Sequence, residues 1–113
     1  MNIAKSLTKR NFMRYTKSHE WIKLLPNNKA LIGISQHASE QLGQTIFVDY
    51  LGKGDEWVKA NEEIVTIESV KAAAGVYAPV ECKLIQRNDK AADGINTAPE
   101  TDGWLWQVEI KDQ

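Results

Sequence analysis

Residues 63–79 read Glu63-Ile64-Val65-Thr66-Ile67-Glu68-Ser69-Val70-Lys71-Ala72-Ala73-Ala74-Gly75-Val76-Tyr77-Ala78-Pro79. Glu63 to Glu68 is a run of β-branched residues flanked by acids, which predicts a strand. Gly75 to Ala78 predicts a second strand, closed by Pro79. Between the two runs a single cation stands among small and apolar residues, so Lys71 falls at or near the tip of a hairpin. An amine with no bulky neighbour can be reached by a modifying enzyme. It is mostly protonated at neutral pH, with an ordinary pKa of roughly 10.4, so it needs an activated acyl donor. Once acylated, it loses its charge and becomes a flexible tether. That is the arrangement of a group carrier, in which a bound cofactor supplies the chemistry. The alternative is an ordinary solvated lysine.

Outward from the hairpin the same punctuation repeats. Trp21-Ile22-Lys23-Leu24 starts a strand, Pro26-Asn27-Asn28 turns the chain, and Lys29 to Ile34 returns. Ser35 is suited to cap a helix and Gly43 to end it, with Ala38 and Leu42 on one face. Thr45 to Leu51 is a strand around Ile46-Phe47-Val48. Gly52 to Asp55 turns, Trp57-Val58 follows, and Ala60-Asn61 turns again. Lys83 to Gln86 is a strand. Residues 88–102 read as loop, with Asp93-Gly94 and Pro99. Trp104 to Val108 is the last strand, with Trp104 and Trp106 on one face. Trp57, Trp104 and Trp106 are expected to pack in the interior rather than stack on bases. Many short strands at close turn spacing predict a mainly β sandwich or flattened barrel.

The chain has 113 residues, enough for one core and too few for two. Its longest apolar runs fall far short of a membrane span. Cys82 is the only cysteine, which excludes an internal disulfide and fits a reducing compartment. It reads as a small packing residue rather than a nucleophile. His19-Glu20 lacks the second histidine of HExxH, and with only His37 besides, a metal site is short of ligands. No metal is expected. Trp21 is expected in the core, and His19 as a partly exposed hydrogen-bonding residue. Gly52-Lys53-Gly54 is not followed by the residues of a phosphate loop.

Net charge is −1, but residues 1–19 carry five bases and no acid, leaving −6 for the rest. The basic start, with Ser6 and Thr8, resembles a mitochondrial-type targeting segment. Lys9-Arg10-Asn11-Phe12 resembles the short presequences of hydrogenosomal proteins, with cleavage near Phe12. The division expected is 1–14 as targeting segment or extension and 15–113 as one domain. An untargeted bacterial-style extension, and so a cytoplasmic protein, is the alternative. The acidic remainder repels phosphate, so no nucleic-acid partner is expected, and no membrane association.

Four blocks resemble the glycine cleavage system H protein family, in that family's order. ESVKAAAGVYAPV (68–80) resembles its lipoyl-attachment segment and YTKSHEW (15–21) its opening motif. IGISQHASEQLGQTIFVDYLGKG (32–54) resembles the stretch that follows, and DGWLWQVEIK (102–111) its closing strand. Together they cover nearly all of residues 15–111. The resemblance implies a barrel-sandwich hybrid fold, the flattened β-barrel of lipoyl domains, with one or two short helices. It implies lipoate bound covalently to Lys71, and Glu68 as a recognition residue for the lipoate-attaching enzyme. It implies a non-catalytic, monomeric carrier in glycine catabolism. Its partners would be glycine decarboxylase with pyridoxal phosphate, a tetrahydrofolate-dependent aminomethyltransferase and the flavin enzyme dihydrolipoyl dehydrogenase.

Three departures from the family pattern stand out. Glu81-Cys82 follows Pro79-Val80 where a turn glycine is usual, so a different backbone geometry is expected there. The 88–96 loop looks shortened. The chain stops at Gln113, where many relatives continue into a helix. An H-like lipoyl relay, or a lipoyl domain serving another complex, is the competing function. A biotin carrier fits less well, because Val70 and Ala72 stand where that family places methionines. An unmodified interaction domain is a third reading.

Overall fold

The computed structural model of the chain describes residues 13–111. The targeting segment expected at the start lies almost wholly outside them. Nine strands and two short helices follow in order: β1 (Met13–Tyr15), β2 (Glu20–Leu25), β3 (Lys29–Ile34), α1 (Gln36–Leu42), β4 (Thr45–Tyr50), β5 (Trp57–Val58), β6 (Glu63–Ser69), β7 (Ala73–Tyr77), β8 (Cys82–Arg87), α2 (Ala91–Thr97) and β9 (Trp106–Ile110). They form a six-stranded sheet, β1-β2-β3-β9-β8-β5, and a three-stranded sheet, β4-β6-β7, with every pairing antiparallel. The two sheets do not close into one barrel among the described residues. Met13 and Arg14 belong to the folded sheet through their register with Lys23 and Ile22.

The core lies between the sheets. Ile22, Ile32, Leu84 and Val108 of the large sheet meet Ile64, Val65, Ile67 and Val76 of the small one, and Ile95 of α2 joins them. Alternation along the strands builds this core. In β9, Trp106, Val108 and Ile110 point inward while Gln107 and Glu109 stay partly exposed. Trp106 Nε1 donates to Ile64 O at 3.1 Å, tying the sheets together. The β2–β3 hairpin turns through Asn27 and Asn28, both with positive φ (64° and 60°), the geometry of a type I′ turn. Asparagine tolerates that region better than most residues.

Ser35 caps α1 as expected: its Oγ accepts from Ala38 N at 3.0 Å. Gly43 ends the helix at φ 75°. Ala38 and Leu42 pack on the core. Four expectations need correction. Residues 91–97 form α2 rather than loop. Gly94 had signalled a turn, but it serves a close contact instead: a Cβ there would lie 2.2 Å from Asp102 O. The last strand starts at Trp106, so Trp104 shares no strand face with it and is only partly buried. Trp57 lies on the edge strand β5, 44% exposed, with Lys111 Nζ 5.6 Å from its ring centre. It covers a cation instead of filling the core. The turn after Pro79 is made without glycine and without any left-handed residue at 79–82.

Thr45, at the start of β4, is 3% exposed, and its Oγ1 has no hydrogen-bond partner. Its backbone is held on both sides by Asn96, whose Oδ1 accepts from Thr45 N and whose Nδ2 donates to Thr45 O. Thr45→Val keeps the shape and removes the orphaned hydroxyl. Stability is expected to rise by about 1 kcal/mol, read as a higher urea midpoint at unchanged slope. A lower midpoint would contradict this.

Candidate functional site

The β6–β7 hairpin carries Lys71 at its tip, as expected, and four local hydrogen bonds build that tip. Ser69 N and Ser69 Oγ both donate to Ala72 O, at 2.8 and 2.9 Å. Ser69 Oγ in turn accepts from Lys71 N and Ala72 N, at 3.2 and 3.1 Å. A serine at the first position of a turn makes such side-chain bonds to the backbone beyond it. A further contact fastens the tip to the body: Val70 N donates to Gln44 O at 3.0 Å. Lys71 therefore stands exposed on a fixed backbone. Its stem lies across Gly43, where an added Cβ would sit 3.4 Å from Lys71 Cε. That is an ordinary van der Waals distance, so glycine is required there by its left-handed φ of 75° at the end of α1 and not by the stem.

Glu68 pairs with Ala73 on β7 and Phe47 on β4, and its side chain is exposed on the outer face of the small sheet. It is near Lys71 along the hairpin, and both are open to solvent. This arrangement suits a covalent attachment point. An exposed primary amine is held on a rigid turn, with space on the solvent side.

One structural residue beside the hairpin was not singled out by sequence reasoning. Glu20 is 3% exposed. Its Oε2 accepts from Tyr77 N on β7 at 3.1 Å, and its Oε1 accepts from Thr16 Oγ1. A buried carboxylate thus occupies a donor on the edge strand of the hairpin sheet. In sequence Glu20 is one acid beside Trp21, and no local pattern distinguishes it from a solvated charge.

Trp21 is buried, with Nε1 donating to Pro99 O at 3.1 Å. His19 is exposed, in the left-handed region (φ 67°), with its ring centre 4.8 Å from that of His37. Among the described residues no three histidine, cysteine or acidic side chains gather to hold a metal. Cys82 is fully buried, and burial, with Glu62 and Glu81 nearby, pushes its thiol up to about 12. It stays protonated at neutral pH, so it is no nucleophile in the native fold. Native protein is expected to resist iodoacetamide at pH 8 and to take one label in urea, scored by mass. Rapid native labelling would contradict the burial argument.

The Tyr50 hydroxyl donates to Asn88 O at 2.7 Å, and desolvation pushes its pKa up to about 12. Tyr15 donates to Glu100 Oε1 at 2.6 Å, and that bond is the main reason its pKa is also raised to about 12. Glu100 Oε2 accepts from Gln36 N at 2.7 Å, so one carboxylate joins β1 to the start of α1. These groups brace the fold.

The family model for "Glycine cleavage H-protein" matches residues 13–113. The glycine cleavage system H protein of Thermotoga maritima is 46% identical over 103 residues, covering 88% of this chain and 82% of that protein. The H protein of Phenylobacterium zucineum is 43% identical over 88% of this chain and 84% of its own length. The crystal structure of the Mycobacterium marinum H protein superposes with a TM-score of 0.78 at 33% identity, covering 88% of this chain and 84% of that one. These relatives are bacterial and lend no support to an organellar location. The chain belongs to the glycine cleavage H-protein family.

Proposed function

We propose that this protein is the carrier of a glycine cleavage system, with lipoate held in amide linkage on Lys71. The supporting observation is the tip itself: an exposed lysine on a turn fastened by Ser69 and by the Val70–Gln44 bond. When attached, lipoate supplies a disulfide–dithiol pair that accepts an aminomethyl group and two electrons. The protein's own residues position the arm. Ser69 fixes the turn, Gln44 holds it through Val70 N, and Glu20 anchors β7. The chain shuttles the aminomethyl group of glycine from the pyridoxal-phosphate decarboxylase to the tetrahydrofolate-dependent aminomethyltransferase. Lipoate on Lys71 would also supply the dithiol from which dihydrolipoyl dehydrogenase, through its flavin, would take electrons. The carrier acts as a monomeric shuttled substrate, not a catalyst. Glu68, exposed and three residues before Lys71, serves recognition by the lipoate-attaching enzyme.

Reconstitution with the three partner enzymes tests this reading. Glycine decarboxylation should require the lipoylated chain and saturate with it. Absence of carrier-dependent turnover would exclude this role and favour a relay to another complex. The same assay tests electrostatic guidance. Beyond residue 19 the net charge is −6, and Glu62 and Glu63 are exposed before the tip. Opposite charge on a partner raises encounter rate more than affinity, and salt screens it. The kcat/KM for the carrier should fall as ionic strength rises. The slope should be shallower when Glu62 and Glu63 are changed to Gln, and identical flat profiles would remove the steering role.

The basic, acid-free start supports one further reading: residues up to about Phe12 act as a targeting segment removed on import into a mitochondrion-related organelle. N-terminal sequencing of protein from its native host tests it. A start at or near Met13 is expected, and an intact Met1 with a cytoplasmic distribution would exclude it.

A further inference from the structure

Six large hydrophobic side chains are exposed among the described residues, and three of them surround the hairpin tip: Ile46 (62%), Val70 (60%) and Phe47 (53%). Isolated exposed hydrophobics are ordinary, but a cluster marks a contact surface. The register explains the cluster. Thr45 pairs with Ser69 and Phe47 with Glu68, so a β-bulge falls at Ile46 and leaves both Ile46 and Phe47 in solvent. Bulges commonly re-aim side chains beside functional sites. Val70 lies one residue past Ser69, clamped to Gln44. Apart from Lys71 itself, the strands beside this apolar centre carry charge of one sign. The three strands of the small sheet contain no lysine, arginine or histidine, and their acids, Asp49, Glu63 and Glu68, are all exposed.

Resting on the reading of Lys71 as the acylated residue, we infer that Ile46, Phe47 and Val70 form an apolar collar. On it seats the enzyme that acylates Lys71, with a basic rim facing Asp49, Glu63 and Glu68. The chemistry selects this occupant over the later partners. The Nζ lone pair attacks the carbonyl carbon of an acyl adenylate. A C–N bond forms, and the C–O bond to the phosphate breaks. AMP leaves with the electron pair, and the ammonium proton passes to a base of the enzyme. Water competes for the same carbonyl, so its exclusion favours attack by the amine. The lysine stem is only four carbons long, so a dry reaction centre requires direct contact around the tip. The acylated arm is much longer, so later partners reach its end without covering the collar.

The test uses full-length protein without lipoate, the lipoate-attaching ligase, lipoate and ATP, with attachment followed by intact mass. The triple variant Ile46→Gln, Phe47→Gln, Val70→Gln should lose at least about tenfold in kcat/KM for attachment, as expected when a central contact is removed. Trp57→Gln, an exposed aromatic on the far sheet edge, should match the parent. Phe47→Leu should retain most of the rate. If the triple variant does not fold by circular dichroism, Phe47→Gln alone should show at least a threefold loss. Once driven to full modification, the collar variants should be reduced by dihydrolipoyl dehydrogenase at the parental rate. Parental attachment rates in folded collar variants would overturn the collar, as would an equal loss in Trp57→Gln. A parent protein that gains no mass at Lys71 would instead overturn the underlying reading.

Discussion

Lys71→Ala is expected to abolish lipoylation completely while leaving the fold intact. In protein from its native host, the parent should carry one lipoyl addition by intact mass, and the variant none. The tip explains both halves of this expectation. The amine is exposed at the tip, and the turn is built from Ser69 and backbone groups of residues 69–72. Removing an exposed side chain leaves those bonds in place. Surface changes of this kind usually alter stability by no more than about 0.5 kcal/mol, so the urea midpoint should hardly move. Lys71→Arg should be equally unmodified, because a guanidinium remains charged and is a poor nucleophile at neutral pH. Modification that survives either change would place the attachment elsewhere. A large loss of stability in Lys71→Ala would mean that the stem over Gly43 contributes packing.

Trp21→Ala should be the most damaging single change to the fold. Trp21 is 1% exposed. Its ring lies against Gly33, where an added Cβ would come within 2.6 Å of the indole. Its Nε1 bonds to Pro99 O, 78 residues away in sequence. The substitution leaves a cavity and an unpaired carbonyl. Replacing a buried tryptophan by alanine costs about 3–5 kcal/mol, a large share of the roughly 5–15 kcal/mol that holds a domain together. Equilibrium urea unfolding measures the loss. Trp21→Phe, which keeps most of the ring contact but loses the bond to Pro99, should cost less. A loss below about 1 kcal/mol in Trp21→Ala would show that the site collapses around the gap or that the indole is dispensable.

Much of this was legible in the chain. The strand runs around Lys71, the Asn27-Asn28 turn, the Ser35 cap and the buried Trp21 all rest on local rules. Side-chain periodicity, left-handed tolerance and capping chemistry each act within a few residues. The misreadings share one cause. Gly94 signals a turn when only its neighbours are considered, yet it sits in α2 because Asp102, eight residues on, comes too close for a side chain. Trp57 and Trp104 read as core because large aromatics usually bury, but burial depends on which strand lies at the sheet edge.

Sequence by itself determined the secondary structure near the hairpin, the place of Lys71 at its tip and the family. Only the tertiary structure decided what stands around that lysine. The clamp from Gln44, the bulge that exposes Ile46 and Phe47, and the buried Glu20 on Tyr77 join residues far apart in the chain. No local pattern encodes such contacts, because they arise when β4 and β2 are brought beside the hairpin by a core formed from both sheets.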